Sequence, residues 1–347
     1  MLRSIQVLRA LAALLVVFAH FEYTEPAVGR FGVDIFFVIS GFIMAHIVNK
    51  SPEDFLYRRI IRIVPLYYLM TLFTTGLYLF KPSWFRNVVL TPTALIKSLL
   101  FIPYHIKDSG PILTLGWTLN YEMFFYLSIA VFIFIFGNKK GMIACLIGLS
   151  LFVLVSSFVT WNSYVVRYWG STMIMEFVGG AILYYFWKHF LSSAGQSVRN
   201  VLAVVGFAAL GFLMYAEYKY GLSTLRFLLI GGPSLLVACG FLSLENRINP
   251  QNKIHSTMVL LGDSSYAMYL LHPFVIYAFL RLVYVRLNLH GPVFDFLGLV
   301  FSLALVCLLS VALHKWFEKP MVSLLKSILD KQFAFAKKLT KSRLRSF

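Results

Sequence analysis

The sequence predicts an all-α polytopic membrane protein, a bundle of about ten transmembrane helices with both termini cytoplasmic. Three observations predict it. The chain is 59% hydrophobic and only 13% charged, against about a quarter charged in soluble domains. Mean hydropathy is +0.78. Apolar runs of crossing length, about 17 to 25 residues, recur along almost the whole chain.

The runs fall near 5–22, 31–48, 60–80, 113–136, 141–160, 169–188, 201–216, 226–244, 266–286 and 293–314. Arg3 and Arg9 before the first run resemble the start of a signal peptide, but polar residues interrupt the run. Its exit, His20-Phe21-Glu22-Tyr23, has no small-residue cleavage site, so a retained first span is expected. Clear breaks stand at Asn49-Lys50-Ser51-Pro52, at Gly137-Asn138-Lys139-Lys140-Gly141 and from Asn246 to Lys253. Segment 94–104 is apolar but too short to cross, which suits an interfacial or re-entrant piece. With a cytoplasmic N-terminus, 20 of the 31 Lys and Arg fall inside, 10 outside, and Arg9 within a span. The expected division is a transmembrane domain over 1–320 and a basic amphipathic tail over 321–347 on the inner membrane surface. A net charge of +17 with its largest cluster in that tail points to anionic membrane lipids, not nucleic acid. Cys145, Cys239 and Cys307 stand alone in apolar runs, so neither a disulfide nor a metal site is expected.

Polar groups inside spans are costly and are functional candidates by default. Arg9 and His20 are eleven residues apart, three helical turns plus roughly 20°, and so share one face of the first span. His20 lies near the outer end; Arg9 is deeper toward the cytoplasm. Asp34 enters the second span from outside, so a short loop separates it from His20. A carboxylate there orients an imidazole as a general base, or simply ties two helices together. Arg58, Arg59 and Arg62 open the third span at its cytoplasmic end. Spacings of three and four make a fork that suits phosphates, or an ordinary positive-inside anchor. Glu122, near mid-membrane in Trp117-Thr118-Leu119-Asn120-Tyr121-Glu122, needs a cation, water or a proton, and Arg9 is the expected partner. Glu176 in the sixth span poses the same problem, with Arg167 poorly placed for it. Tyr269 and His272 share a face, and Pro273 removes a backbone donor beside them.

Five blocks in order resemble the acyltransferase-3 family of bacterial membrane proteins: Leu8-Arg9-Ala10-Leu11-Ala12 through His20; Gly32-Val33-Asp34 to Gly41-Phe42; Arg59-Ile60-Ile61-Arg62-Ile63-Val64-Pro65; Gly116-Trp117-Thr118 to Glu122; and Ser265-Tyr266 to His272-Pro273. Ser4-Ile5-Gln6 and Arg58 to Leu66 are similar to exopolysaccharide O-acetyltransferases of the succinoglycan type. Thr118 stands where the family usually has serine. Some relatives add an extracytoplasmic hydrolase-like domain, for which no residues are expected here.

The resemblance implies transfer of an acyl group, usually acetyl, from cytoplasmic acyl-CoA to a glycan hydroxyl in or on the bacterial inner membrane. The acceptor would be an exopolysaccharide, another cell-surface glycan or a lipid-linked oligosaccharide. Acetyl-CoA would be a substrate, with no bound cofactor and no metal. It implies donor binding by Arg59 and Arg62, helped by Arg58, and an essential His20. Our reading of the residues adds Asp34 as the group orienting His20, and Arg9 stabilising donor or oxyanion. Trp117, Asn120, Glu122, Glu176, Tyr269 and His272 form the supporting polar set. General-base transfer and an acyl-histidine intermediate are both open. A transporter or flippase using the same stripe is the alternative class, against which no repeat symmetry is found.

Overall fold

The computed structural model describes residues 2–21, 28–50, 52, 55–85, 88–106, 109–221, 226–287 and 291–330. Helices are the regular structure of those residues, with one isolated bridge, Ile106 to Ser109, as their only extended pairing. Each apolar run contains one main helix: α1 (Arg3–Ala19), α2 (Gly32–Lys50), α3 (Phe55–Phe80), α5 (Gly116–Phe136), α6 (Asn138–Phe158), α8 (Ile174–His189), α9 (Gln196–Tyr220), α10 (Gly232–Ser243), α12 (Ser265–Leu280) and α13 (Pro292–Leu313). Short helices α4 (Pro92–Leu99), α7 (Tyr164–Trp169) and α11 (Lys253–Asp263) lie between them.

Seven helices among the described residues are long and apolar enough to cross a membrane. They are α2, α3, α5, α6, α9, α12 with its extension to Val283, and Pro292–Asp330. Three are shorter: α1 has 17 residues, α8 has 16, and the third is the apolar unit Phe227–Ser243, whose first five residues form a π-helical turn. The short segment near 94–104 becomes α4 and docks on α3, where Tyr67 and Tyr68 hydroxyls donate to the Ser98 and Leu99 carbonyls at 3.1 and 2.9 Å. The expected boundary at 320 falls inside the continuous helix Pro292–Asp330. Residues 321–330 thus continue that helix, and 331–347 lie outside the described residues.

α1 occupies the middle of the bundle and packs against α2, α10, α11, α12 and α13. Its residues are apolar on nearly every side, as an interior helix requires, and Leu8, Ala10 and Ala12 have no exposed surface. Lipid offers no hydrophobic drive between helices, so close approach through small residues does the packing. A Cβ on Gly41 of α2 would overlap the Phe177 carbonyl of α8, and one on Gly180 would overlap the Val38 carbonyl. Carboxylates fix the two central helices at their starts. Glu245 accepts from the Arg3 and Ser4 amides at 3.0 and 2.7 Å. Glu217 accepts from the Gly29 and Arg30 amides at 2.9 and 3.1 Å. Each supplies negative charge where unpaired N–H groups cluster.

Candidate functional site

One cleft of about 480 Å³ runs between α1, α2, α3 and α5. Arg9, Arg59, Arg62, Lys50, Glu122 and Asp263 supply its charge. A second cavity of about 80 Å³ adjoins it, sharing Arg9, Phe36, Glu122 and Tyr266 and reaching Thr118 and Tyr269. The face carrying Arg9 therefore looks into the bundle, and open space joins it to Arg62. Arg58 is not among the residues facing either cavity.

The two arginines of the fork are unequal. Arg62 pairs with Glu318 at 3.0 Å and donates to the Asp263 carbonyl at 3.3 Å. Glu318 in turn accepts from His314 Nδ1 at 2.9 Å. Arg59 has no ion-pair partner among the described residues, and its buried Nε meets no acceptor. A guanidinium left in that state beside open space is poised for an anionic ligand, because a buried donor without an acceptor is costly.

Arg9 donates to Gln6 Oε1 at 3.2 Å, and the Gln6 amide donates to Asp263. Glu122 was expected to pair with Arg9. Both face the cleft, but the Glu122 carboxylate instead accepts from Ser40 Oγ at 2.6 Å and Tyr126 OH at 2.9 Å. Hydroxyl donors thus satisfy it without a direct cation. Asn120, almost fully buried, has no partner for either side-chain amide atom among the described residues. The Trp117 carbonyl accepts from Tyr168 OH at 2.7 Å, and its ring meets Phe37 edge-on. Thr118 keeps a hydroxyl where the family pattern has serine, donating to the Leu115 carbonyl at 3.1 Å and meeting Tyr269 OH at 3.0 Å.

Beyond Tyr269 stand the two histidines. Tyr269 and His272 ring centroids are 6.0 Å apart, and His272 meets His20 edge-on at 4.8 Å. Neither histidine lines the cavities. His20 closes α1, where the last carbonyls lack helical partners, and its Nδ1 lies 2.7 Å from the Val16 carbonyl. A carbonyl only accepts, so Nδ1 carries a hydrogen, and in the neutral ring Nε2 is the nitrogen with the lone pair. His272 repeats the arrangement with Nδ1 3.3 Å from the Met268 carbonyl, and its buried Nε2 has no partner among the described residues.

This geometry corrects the expectation that Asp34 orients His20. Both Asp34 oxygens accept from Arg226, Nε and the terminal nitrogen at 2.8 Å each. Among the described residues Asp34 makes no hydrogen bond to His20, and the Val16 carbonyl sets the tautomer instead. Glu176, fully buried, sits beside Asp34 and Arg226, and among the described residues neither of its oxygens meets a donor in hydrogen-bonding geometry. Arg167 is occupied by the Trp161 carbonyl at 2.9 Å. Arg226, Ser40, Tyr126, Asp263 and Glu318 are the residues that reading the sequence missed. Arg226 carried a legible signal as an arginine opening an apolar run; Glu318 carried none, since only tertiary packing brings it to Arg62.

Comparison with known proteins joins these residues to a chemistry. The acyltransferase domain of the acyltransferase-3 family matches residues 2–313. The exopolysaccharide production protein ExoZ of Rhizobium meliloti (strain 1021) is 33% identical over 304 residues, covering 85% of this chain and 90% of ExoZ. The peptidoglycan O-acetyltransferase OatA of Listeria monocytogenes is 26% identical over 310 residues, covering 78% of this chain and 48% of OatA. OatA of Staphylococcus aureus (strain NCTC 8325 / PS 47) is 24% identical over 357 residues, covering 90% and 56%. This chain thus spans about half the length of the OatA proteins. No solved structure matches significantly. The chain belongs to the acyltransferase-3 family and is an acyltransferase of the membrane.

Proposed function

We propose that the chain is a membrane-embedded O-acyltransferase that moves an acyl group, acetyl by our reading, from cytoplasmic acyl-CoA to a hydroxyl of an exopolysaccharide or another cell-surface glycan. The observation that carries this is the pair of adjoining cavities that share Arg9, Phe36, Glu122 and Tyr266, one lined by Arg59 and Arg62 and the other reaching Tyr269. An acyl-CoA needs such a route: cations for its phosphates at one end and a narrow, mainly apolar channel for the pantetheine arm. The names of ExoZ and the OatA proteins support glycan-directed O-acyl chemistry. The ten-span topology in the inner membrane, both termini cytoplasmic, belongs to the same proposal.

In this reading a sugar hydroxyl reaches His20 from the outer side and gives its proton to Nε2. The hydroxyl oxygen attacks the thioester carbonyl, the carbon–sulfur bond breaks, and the proton passes from His20 to the departing thiolate. His272 stands beside His20 as a second neutral imidazole able to accept a hydrogen bond from the imidazolium. Eleven residues of helix rise place Arg9 roughly 16 Å along the axis from His20, so Arg9 serves the donor arm and not the oxyanion. Asp34, Arg226 and Glu176 hold α2, α8 and the start of the 226–244 run around that chemistry.

Purified protein in liposomes tests the reading. It should release free CoA from acetyl-CoA only when a glycan acceptor is present, and His20→Ala should reduce release by about 10² to 10⁴-fold, the usual worth of a positioned base. Acceptor-dependent release undiminished in His20→Ala would overturn the role of His20. Cysteines placed at 83 and 140 should label from opposite faces; labelling from one face would overturn the topology.

A further inference from the structure

Resting on acyl-CoA as the donor, we infer that His46 and Lys50, on the last turns of α2, form a separate anion subsite that reads the 3′-phosphate of the coenzyme A nucleotide. α2 gives the cleft one continuous stripe, Phe36, Ile39, Ser40, Ile43, His46 and Lys50 among its members. Spacings of three and four keep those residues on one face. The stripe is mainly apolar where it runs deep, and it ends in an imidazole and an ammonium.

Among the described residues neither end group is claimed by an ion pair or a hydrogen bond. Lys50 is exposed at the rim and has no carboxylate within ion-pairing distance among the described residues. His46 Nδ1 is buried without a partner, while its ring is held edge-on against Tyr184 at 5.5 Å. Nearby Lys188 differs: it is occupied by Asn49 Oδ1 at 3.1 Å. The C-terminal end of a helix carries partial negative charge, so the backbone disfavours an anion here. Binding at this point therefore depends on the two side chains.

Depth assigns the phosphate. From Phe36, which also faces the inner cavity, to Lys50 the stripe rises roughly 21 Å. A donor lying with its thioester toward Tyr269 sends its pantetheine arm along that stripe toward the mouth. Its pyrophosphate then falls near Arg59, the unpaired guanidinium partway along. What remains at the rim is the ribose 3′-phosphate, and Lys50 is the outermost cation of the cleft. Carriers that end at phosphopantetheine have no group to put there. The subsite would therefore select coenzyme A over such carriers.

Equilibrium binding to the full-length protein in nanodiscs tests this with two probes, free CoA and dephospho-CoA, which lacks only the 3′-phosphate. One charge-assisted contact predicts that the intact protein prefers CoA by about tenfold. Lys50→Gln should lose that preference by weakening CoA alone, and Lys50→Arg should keep it. His46→Gln should narrow it to a few-fold. Arg59→Gln should weaken both probes alike. Equal affinity of the intact protein for the two probes, or an undiminished preference in Lys50→Gln with an unchanged melting temperature, overturns the subsite. Failure of both probes to bind the intact protein overturns the donor reading beneath it, a distinguishable result.

Discussion

The two ends of the bundle treat charge in opposite ways. Toward the Arg226 end, two buried carboxylates are closed off: Asp34 accepts from Nε and a terminal nitrogen of Arg226 at 2.8 Å each, and Glu217 accepts from Arg30 Nε at 2.9 Å and from backbone amides. Toward the Arg59 end, charged groups face open space, and Arg59 and Lys50 have no carboxylate partner among the described residues. Isolated charge in a low-dielectric interior is costly unless something pairs with it. Internal pairing marks architecture; unpaired cations around a cleft mark a place kept for an anion from outside.

Substitutions at the two ends should therefore separate stability from donor binding. The largest effect is expected at Arg226→Ala, which leaves Asp34 buried without its cation and should cost about 3–5 kcal/mol of stability, read by thermal unfolding in detergent. Asp34→Asn with Arg226→Leu should recover part of that loss. A full-strength melting temperature in Arg226→Ala alone would break the contrast between the ends. Next, Arg59→Ala should weaken CoA binding by about tenfold, with reduced salt sensitivity, while changing unfolding little. Arg62→Ala should weaken binding less, by a few-fold, because Glu318 already offsets much of its charge. Arg62→Ala matching or exceeding Arg59→Ala would contradict the ranking. The smallest effect belongs to Arg30→Ala: its side chain is 49% exposed and its pairing with Glu217 is screened by water, so well under about 1 kcal/mol is expected.

Much of this contrast was legible in the sequence, for identifiable reasons. The apolar runs fixed where helices form, and helical periodicity put Arg9 and His20 on one face, the face Arg9 turns toward the cleft. The same periodicity made Arg59 and Arg62 neighbours at one end of α3. What failed was pairing between residues far apart in the chain. Asp34 was matched to His20 because a short loop joins their helices, yet Arg226, 192 residues away, takes both its oxygens. Glu122 was matched to Arg9 by charge, whereas neutral hydroxyls from Ser40 and Tyr126 satisfy it. Helical periodicity says which way a side chain faces; it does not say which of several distant polar groups arrives opposite. The Val16 carbonyl as the group orienting His20 was hidden for another reason. A backbone acceptor at a helix end leaves no trace in residue identity.

The most direct test of a donor passage through the bundle is an experimental structure of the protein with acetyl-CoA bound. The account predicts the nucleotide beside Arg59 and Lys50, the pantetheine arm along the Phe36 to His46 face of α2, and the acetyl group beyond Arg9 and Glu122 near Tyr269. Acetyl-CoA held elsewhere, with the cleft between α2 and α3 left empty of it, would contradict the account.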